Sequence, residues 1–355
     1  MSVRRSPRRS DSTFEQSAGR INSLHDCKKS SADSLSLQKY WNDCDLMVNA
    51  ATRNYIELLL MSAIWGSSFL FLRIAAPEFG PFLLIQMRVL TAVIVMLPIC
   101  VMFGKLGELA ANWRVIFLVS LMNMAVPFCL FAYAALFMGS GLLSIMNATV
   151  PFFTALIGFA VFGQRLSSLS LSGMALGFSG VIILVFDPDA IDLAEGGLLA
   201  VTAALSACFF YGMALNLVSR RLTAVSGLAI TTGSLLFASV LLMPFSMQSL
   251  PDEMPGNSAW AAVAALGIGC TGLAYLMFYR LIARIGSDQT IMTAYLIPLF
   301  SLMWGYLFLS ESITVFTVLG CLLVLLGVGM TTGKLSGLVR RVSSLLQGGL
   351  RKLNP

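Results

Sequence analysis

From residue 55 onward the sequence is a succession of apolar runs, each about 20 residues long and closed by a short polar stretch. Coiled as an α-helix, such a run matches the roughly 30 Å hydrocarbon layer of a bilayer. Ten runs are expected to form spans, at about 55–73, 81–103, 113–133, 138–162, 167–186, 196–217, 225–246, 259–281, 287–309 and 313–331. Strands of a membrane barrel need only about 10 residues and alternate in polarity. These runs are longer and do not alternate, so the fold expected is an all-α membrane protein. Charged residues make up 11% of the chain and hydrophobic ones 57%, where soluble domains carry about 25% charge.

Charge placement tests the span count, because Lys and Arg gather on the cytosolic side of a path that crosses back and forth. With a cytosolic N-terminus, that side holds Lys105, Arg114, Arg165, Arg220, Arg221, Arg280, Arg284, Lys334, Arg340, Arg341, Arg351 and Lys352. The other side holds Arg73 and the acids Glu78, Asp187, Asp189, Asp192, Glu195, Asp252, Glu253 and Glu311. Both termini are therefore expected in the cytosol, with the protein in a cytoplasmic (inner) membrane. The net charge of +6 then reflects topology and basic tails beside anionic lipid, and no nucleic-acid partner is implied. Residues 1–54, rich in Ser and charge, are expected to form a disordered cytosolic tail, and 332–355 a basic one. Five of the seven cysteines fall inside spans, and no disulfide is expected.

The chain also repeats itself. Shifted by 147 residues, Trp113 falls on Trp260, Pro151 on Pro298, Gly158 on Gly305, Gly173 on Gly320 and Gly180 on Gly327, while Gln164 meets Glu311. At a shift of 146, Trp65-Gly66 meets Tyr211-Gly212. Two halves of five helices follow, 55–190 and 191–331. Five is odd, so the second half enters the membrane from the opposite face and the repeats are inverted, an architecture that many secondary transporters use to open a central site to either side in turn.

The stretch WGSSFLFLRIAAPEFGPFLLIQMRVL (65–90) resembles the opening of an EamA-type repeat. VPFFTALIGFAVFGQRLSSLSLSGMALGFSGVIIL (150–184) and IPLFSLMWGYLFLSESITVFTVLGCLLVLLGVGM (297–330) are similar to its closing helix pair. The resemblance covers 55–331 and implies the drug/metabolite transporter superfamily, with a central cavity lined by helices 1, 3, 4, 6, 8 and 9. It implies a secondary carrier of a small organic metabolite, working by alternating access and more in export than uptake. It also implies that Arg88, on helix 2, lies outside the cavity in a structural role.

Within that frame, polar and aromatic groups at mid-depth are the candidate solute site: Trp65, Asn123, Asn147, Tyr211, Tyr275 and Tyr295. Buried Tyr and Trp need partners for their O–H and N–H groups, and a cavity walled by such rings suits a small, partly apolar solute. Helix 4 carries a stripe of Ser140, Ser144, Asn147, Pro151, Thr154 and Gly158, and helix 9 a matching stripe through Pro298. Packing through small residues explains the serines and glycines. Pro151 and Pro298 are expected to kink their helices, freeing the carbonyls of Asn147 and Ala294. Glycines of helices 5 and 10 are expected to pack against each other, a dimer seam being the alternative; monomer and homodimer both remain open. Arg88, eight residues into helix 2, needs a partner, since an intramembrane arginine costs about 2.5–3.5 kcal/mol on insertion scales. Glu57 is expected at headgroup level as a solvated carboxylate.

Other classes fare worse. GFSG at 177–180 matches the Gly-x-Ser-Gly of rhomboid-type intramembrane proteases, but the serine needs a base and the only histidine is His25 in the tail. No phosphate-binding GxxxxGK[ST] loop occurs. The chain is not expected to be an enzyme, to hold a metal or to need a cofactor; a receptor or scaffold that moves nothing is the remaining alternative. The partners expected are the bilayer and a small solute.

Overall fold

The computed structural model describes residues 34–187, 196–290 and 292–333, with side chains from Thr52 onward, Asp288 excepted. Most of the two expected tails lies outside the described residues. Where they overlap with the described residues, the first helix begins at Ser34. No Gly or Pro occurs between 20 and 65 to break a helix there.

Among the described residues the fold is all helical. Seven segments are long and apolar enough to cross a membrane. The first, Thr52–Met102, is 51 residues long and is two helices joined at Gly80, whose φ of 67° and ψ of 163° suit glycine. We label its parts α1 (52–79) and α2 (81–102). The others are α3 (Trp113–Ala134), α4 (Ser140–Phe162), α5 (Ser168–Val185), α6 (Leu198–Arg221), α7 (Gly227–Met247) and α8 (Asn257–Ile285). Two shorter apolar helices follow, α9 (Thr293–Leu309) and α10 (Val315–Thr331). At 17 residues α9 reaches only about 26 Å, because the turn Ser287–Thr290 that precedes it is separate.

α4 is also divided, into Ser140–Asn147 and Val150–Phe162. Pro151 therefore sits in the first turn of the second piece, where its missing N–H costs nothing. The expected kink in a continuous helix is instead a break before the proline. Pro298 does lie inside α9. The two helices end alike: Gly163 and Ser310 take φ of 66° and 55°, and the Gln164 and Glu311 amides donate back to the carbonyls of Gly158 and Gly305, at 3.0 and 3.2 Å, a left-handed helix cap.

Association of apolar helices in lipid relies on close packing more than on burial from water. The tightest seam joins α5 and α10. A Cβ on Gly173 would stand 2.7 Å from the Gly327 carbonyl oxygen, and one on Gly180 2.8 Å from that of Gly320. Numbers rise along α5 as they fall along α10, so the two are antiparallel, and the expected contact between these glycines is present. Two further contacts pair off in the repeat register. Gly66 of α1 lies against Phe300 and Ser301 of α9, and Gly212 of α6 against Phe153 and Thr154 of α4.

Turn ties complete the frame. The Gly256 amide ahead of α8 donates to Glu78 Oε2 at 2.5 Å, and the Ser226 amide ahead of α7 to Glu108 Oε2 at 2.8 Å. Lys105, 2.6 Å from Glu108 Oε1, together with that amide, holds the Glu108 carboxyl down at about 2, from an ordinary 4.5. A lowered acid pKa contributes stability above the unfolded-state value that is lost as pH falls through the folded one. Glu108→Gln should therefore flatten the pH dependence of the unfolding midpoint between about pH 4.5 and pH 2, measured in detergent micelles. An unchanged slope would show that this tie does not carry it.

Candidate functional site

Two helices carry turns wider than α. Leu121–Ala125 in α3 and Ala265–Leu273 in α8 are π-helical, a local expansion common at functional sites. They match at the repeat shift, Asn123 falling on Cys270. A π turn disturbs the regular ladder and turns backbone oxygen towards other donors. Trp65 Nε1 donates to the Cys270 carbonyl at 3.1 Å, and Thr271 Oγ1 to that of Leu266 at 2.8 Å.

A polar aromatic cluster grows from this point. The Trp65 ring meets Tyr275 edge-on at 5.9 Å, Tyr275 stacks on Tyr279 at 6.1 Å, and the Asn123 side chain interacts with the Tyr275 hydroxyl. Tyr211 stacks on Phe131 at 6.1 Å and approaches Phe128 edge-on at 6.5 Å. Arg88 joins the two sides. Its guanidinium carbon lies 4.0 Å over the Phe128 ring, its Nε donates to Thr271 Oγ1 at 3.1 Å, and Tyr211, Cys270 and Tyr275 are its electrostatic neighbours. Four of the six expected site residues, Trp65, Asn123, Tyr211 and Tyr275, are thus gathered from α1, α3, α6 and α8. Arg88 of α2, expected apart from them, stands among them.

The arginine is 7% exposed. A desolvated cation–π contact supplies about 2 kcal/mol and a charged hydrogen bond about 1.5–3, enough to offset its insertion cost. Neither supplies a counter-charge.

The remaining expected residues lie elsewhere. Tyr295, near the start of α9, hydrogen-bonds through its hydroxyl to Thr332 Oγ1 at 2.9 Å, beyond the end of α10, and is not brought to the cluster. Asn147 is the last residue before the break in α4. The neighbouring Met146 carbonyl accepts from Thr149 Oγ1 at 2.7 Å and from Cys208 Sγ at 3.2 Å. The partly exposed Asn147 amide makes no hydrogen bond among the described residues. Two hydroxyls of the stripe bond their own helix, Ser144 to the Gly141 carbonyl at 2.6 Å and Thr154 to that of Val150 at 2.8 Å. Ser179 of the GFSG motif does the same with Leu176, at 2.7 Å, while the motif's glycines lie on packing seams.

Opposite ends of the bundle are built differently. At one, Glu57 is 6% exposed and paired with both Arg280 and Arg284, the latter at 2.9 Å. It is not the solvated carboxylate that its position near the start of a span suggested. At the other, Arg73 Nη1 donates to the carbonyls of Ala135 and Leu136 at 2.6 and 2.9 Å, closing the end of α3. Glu311 there caps the start of α4, accepting from the Ser140 amide at 2.8 Å and its hydroxyl at 2.9 Å. Between them opens a cavity of about 610 Å³, lined among others by Arg73, Phe137, Gly141, Leu302 and Glu311. None of the cluster residues lines it. Glu311 was marked in the sequence as an acid of the non-cytosolic side and by falling on Gln164, with no role in the site attached.

The EamA-like transporter family model matches residues 53–186 and 198–333. Among similar proteins, the uncharacterized transporter YoaV of Bacillus subtilis (strain 168) is 21% identical over 281 residues, covering 78% of this chain and 96% of its own. The probable amino-acid metabolite efflux pump of Escherichia coli (strain K12) is 23% identical, over 76% of this chain and 91% of its own. A solved structure described only as a crystal structure of a protein shares the fold, with a TM-score of 0.57 and 20% identity over 83% of this chain and 99% of that one.

Proposed function

Because the chain belongs to the EamA-like transporter family, we propose that it is a secondary carrier moving a small organic metabolite by alternating access between two inverted five-helix halves, 55–190 and 191–331. The observation that carries this reading is the reciprocity of its contacts. Gly66 meets α9 through the pair Phe300–Ser301, and its repeat counterpart Gly212 meets α4 through Phe153–Thr154, the residues 147 positions earlier. On the α5–α10 seam Gly173 faces Gly327 and Gly180 faces Gly320; the same shift takes Gly173 to Gly320 and Gly180 to Gly327, so exchanging the halves turns each pair into the other. Contacts that map onto themselves when the halves are exchanged are those of a twofold relation, which lets two halves trade conformations. In this reading all ten helices α1–α10 cross the membrane.

The solute lies among Trp65, Asn123, Tyr211 and Tyr275, with Asn147 presenting a free amide at the α4 break and Tyr295 left out. The Glu57 ion pairs seal the end that carries the basic loops, which the positive-inside bias assigns to the cytosol along with both termini. The cavity beside Glu311 is the vestibule of the opposite face. Pro151 and Pro298 mark where α4 and α9 yield as the two faces alternate. The similarity to a probable amino-acid metabolite efflux pump supports a metabolite cargo and outward movement.

The test is solute flux into and out of liposomes containing the purified full chain, over a panel of amino acids, organic acids, amines and sugar conjugates. At least one solute should cross at a saturable rate, and Asn123→Ala and Tyr275→Phe should each lower that rate roughly tenfold, as removal of a buried hydrogen-bond partner does, with folding intact. Binding without flux would replace the carrier with a receptor. Flux untouched by both substitutions would place the solute elsewhere.

A further inference from the structure

The charge on Arg88 points to a chemical class of solute. The residue is buried at 7% exposure, yet none of the ion pairs among the described residues involves it. Its one hydrogen bond is made by Nε, to Thr271. A guanidinium has five N–H donors in a rigid planar fork, so among the described residues the pair of terminal nitrogens has no hydrogen-bond acceptor. Among the described residues the fully enclosed polar atoms that lack partners are Asn54 Oδ1, Gln86 Oε1, Thr232 Oγ1 and Ser234 Oγ, and the two terminal nitrogens are not of that kind. They therefore retain contact with open space. Around them stand Tyr211, Cys270 and Tyr275, groups that are neutral at pH 7. Thr271, which holds Nε, comes from the π turn of α8, and Phe128, under the guanidinium, from α3. The fork is thus fixed from three helices, charged, and without a protein acceptor for its terminal nitrogens among the described residues.

We propose that Arg88 is the anchor for an anionic oxygen group on the transported solute, a carboxylate or a phosphoryl group held by the two terminal nitrogens, with the solute's apolar part against the rings of Trp65, Tyr211 and Tyr275. This rests on the carrier reading above and adds the solute's charge to it. The bidentate geometry of carboxylate and phosphate matches a guanidinium fork and not an ammonium. It accounts for an arginine at this depth, where a structural cation–π contact alone would accept lysine.

The experiment compares phenylacetate, phenyl phosphate, phenylacetamide and phenethylamine, which share a ring and differ in head group, alongside the wider solute panel. Thermal stabilisation of the full-length protein in detergent and flux in liposomes are both read, in the wild type, Arg88→Gln and Arg88→Lys. In the wild type an anionic probe, or an anionic member of the panel, should bind and cross at least about tenfold better than its amide. Whether phenylacetate or phenyl phosphate is favoured identifies the group. Arg88→Gln should bring the anion down to the level of the amide, and Arg88→Lys should fall between. The wild-type comparison needs no variant, so it decides the matter even if Arg88→Gln does not fold. Equal handling of amide and anion, a preference for phenethylamine, or an anion preference that survives in Arg88→Gln would overturn the inference while leaving the carrier intact. No flux of any probe or panel member would overturn the carrier reading, and this inference with it.

Discussion

Gly327→Leu is expected to separate α5 from α10 and to cost about 3 kcal/mol or more, the upper range for overpacking. A Cβ at Gly327 would stand 2.7 Å from the Gly177 amide nitrogen and closer still to the Gly173 carbonyl oxygen. Both obstacles are backbone, which cannot swing aside as a side chain can. The helices would have to move apart over their shared length, losing the hydrogen bonds between Ser170 and Thr331 that close the seam at 3.2 and 3.3 Å. Gly107, in the short helix Leu106–Ala111 with nothing within 4 Å of its would-be Cβ, makes the contrast. Gly107→Ala should be neutral or stabilising by about 0.5–1 kcal/mol. Denaturant unfolding in mixed micelles measures both. A Gly327→Leu protein as stable as the wild type would mean that the seam is not close-packed.

The second large effect is at Glu57, and it is asymmetric. The double substitution Arg280→Gln/Arg284→Gln leaves a carboxylate of 6% exposure with no counter-charge, a change that costs about 3–5 kcal/mol. Glu57→Gln removes the buried charge itself. It leaves two arginines whose side chains are already 55% and 35% exposed and can return to water, so its cost should be about 1 kcal/mol. The same unfolding measurement ranks the two. If Glu57→Gln proved the costlier, the pair would owe its strength to the arginines' surroundings and not to the buried acid. In the proposed cycle the variants should also differ in the fraction of molecules open at that end, which accessibility labelling of a cysteine placed at Leu58 reports.

The helices were legible in the sequence because lipid leaves a chain few choices. Runs expected at about 113–133 and 138–162 are Trp113–Ala134 and Ser140–Phe162. Most of the misses share one cause. The first span was expected to stop at Arg73, but α1 continues to Gly80, since the guanidinium closes the end of α3 instead of facing water. Hydropathy gives depth in the membrane and says nothing of azimuth. Trp65, Asn123, Tyr211 and Tyr275 were found by depth and happen to face one another. Tyr295 has a suitable side chain but points to Thr332. Arg88 was judged by depth alone and assigned outside the cluster on a resemblance. Glu57 shows what could have been read: Arg280 and Arg284 stand four apart, on one face of a helix, at the same end of the bundle as Glu57, which is a pattern that invites a shared acid. The break before Pro151 was not legible, because a proline serves equally inside a bend and at the head of a new helix.

A π turn is an α turn that has accepted one surplus residue, and everything beyond the insertion is rotated by about 100°. α3 and α8 each contain such a region, with Asn123 and Thr271 within them. Deleting a single residue from the five-residue turn of α3 should restore an unbroken α-helix there, as apolar as before, while swinging its far half to a different neighbour. A one-codon change there would exchange what surrounds the arginine while leaving the helix long and apolar enough to cross a membrane.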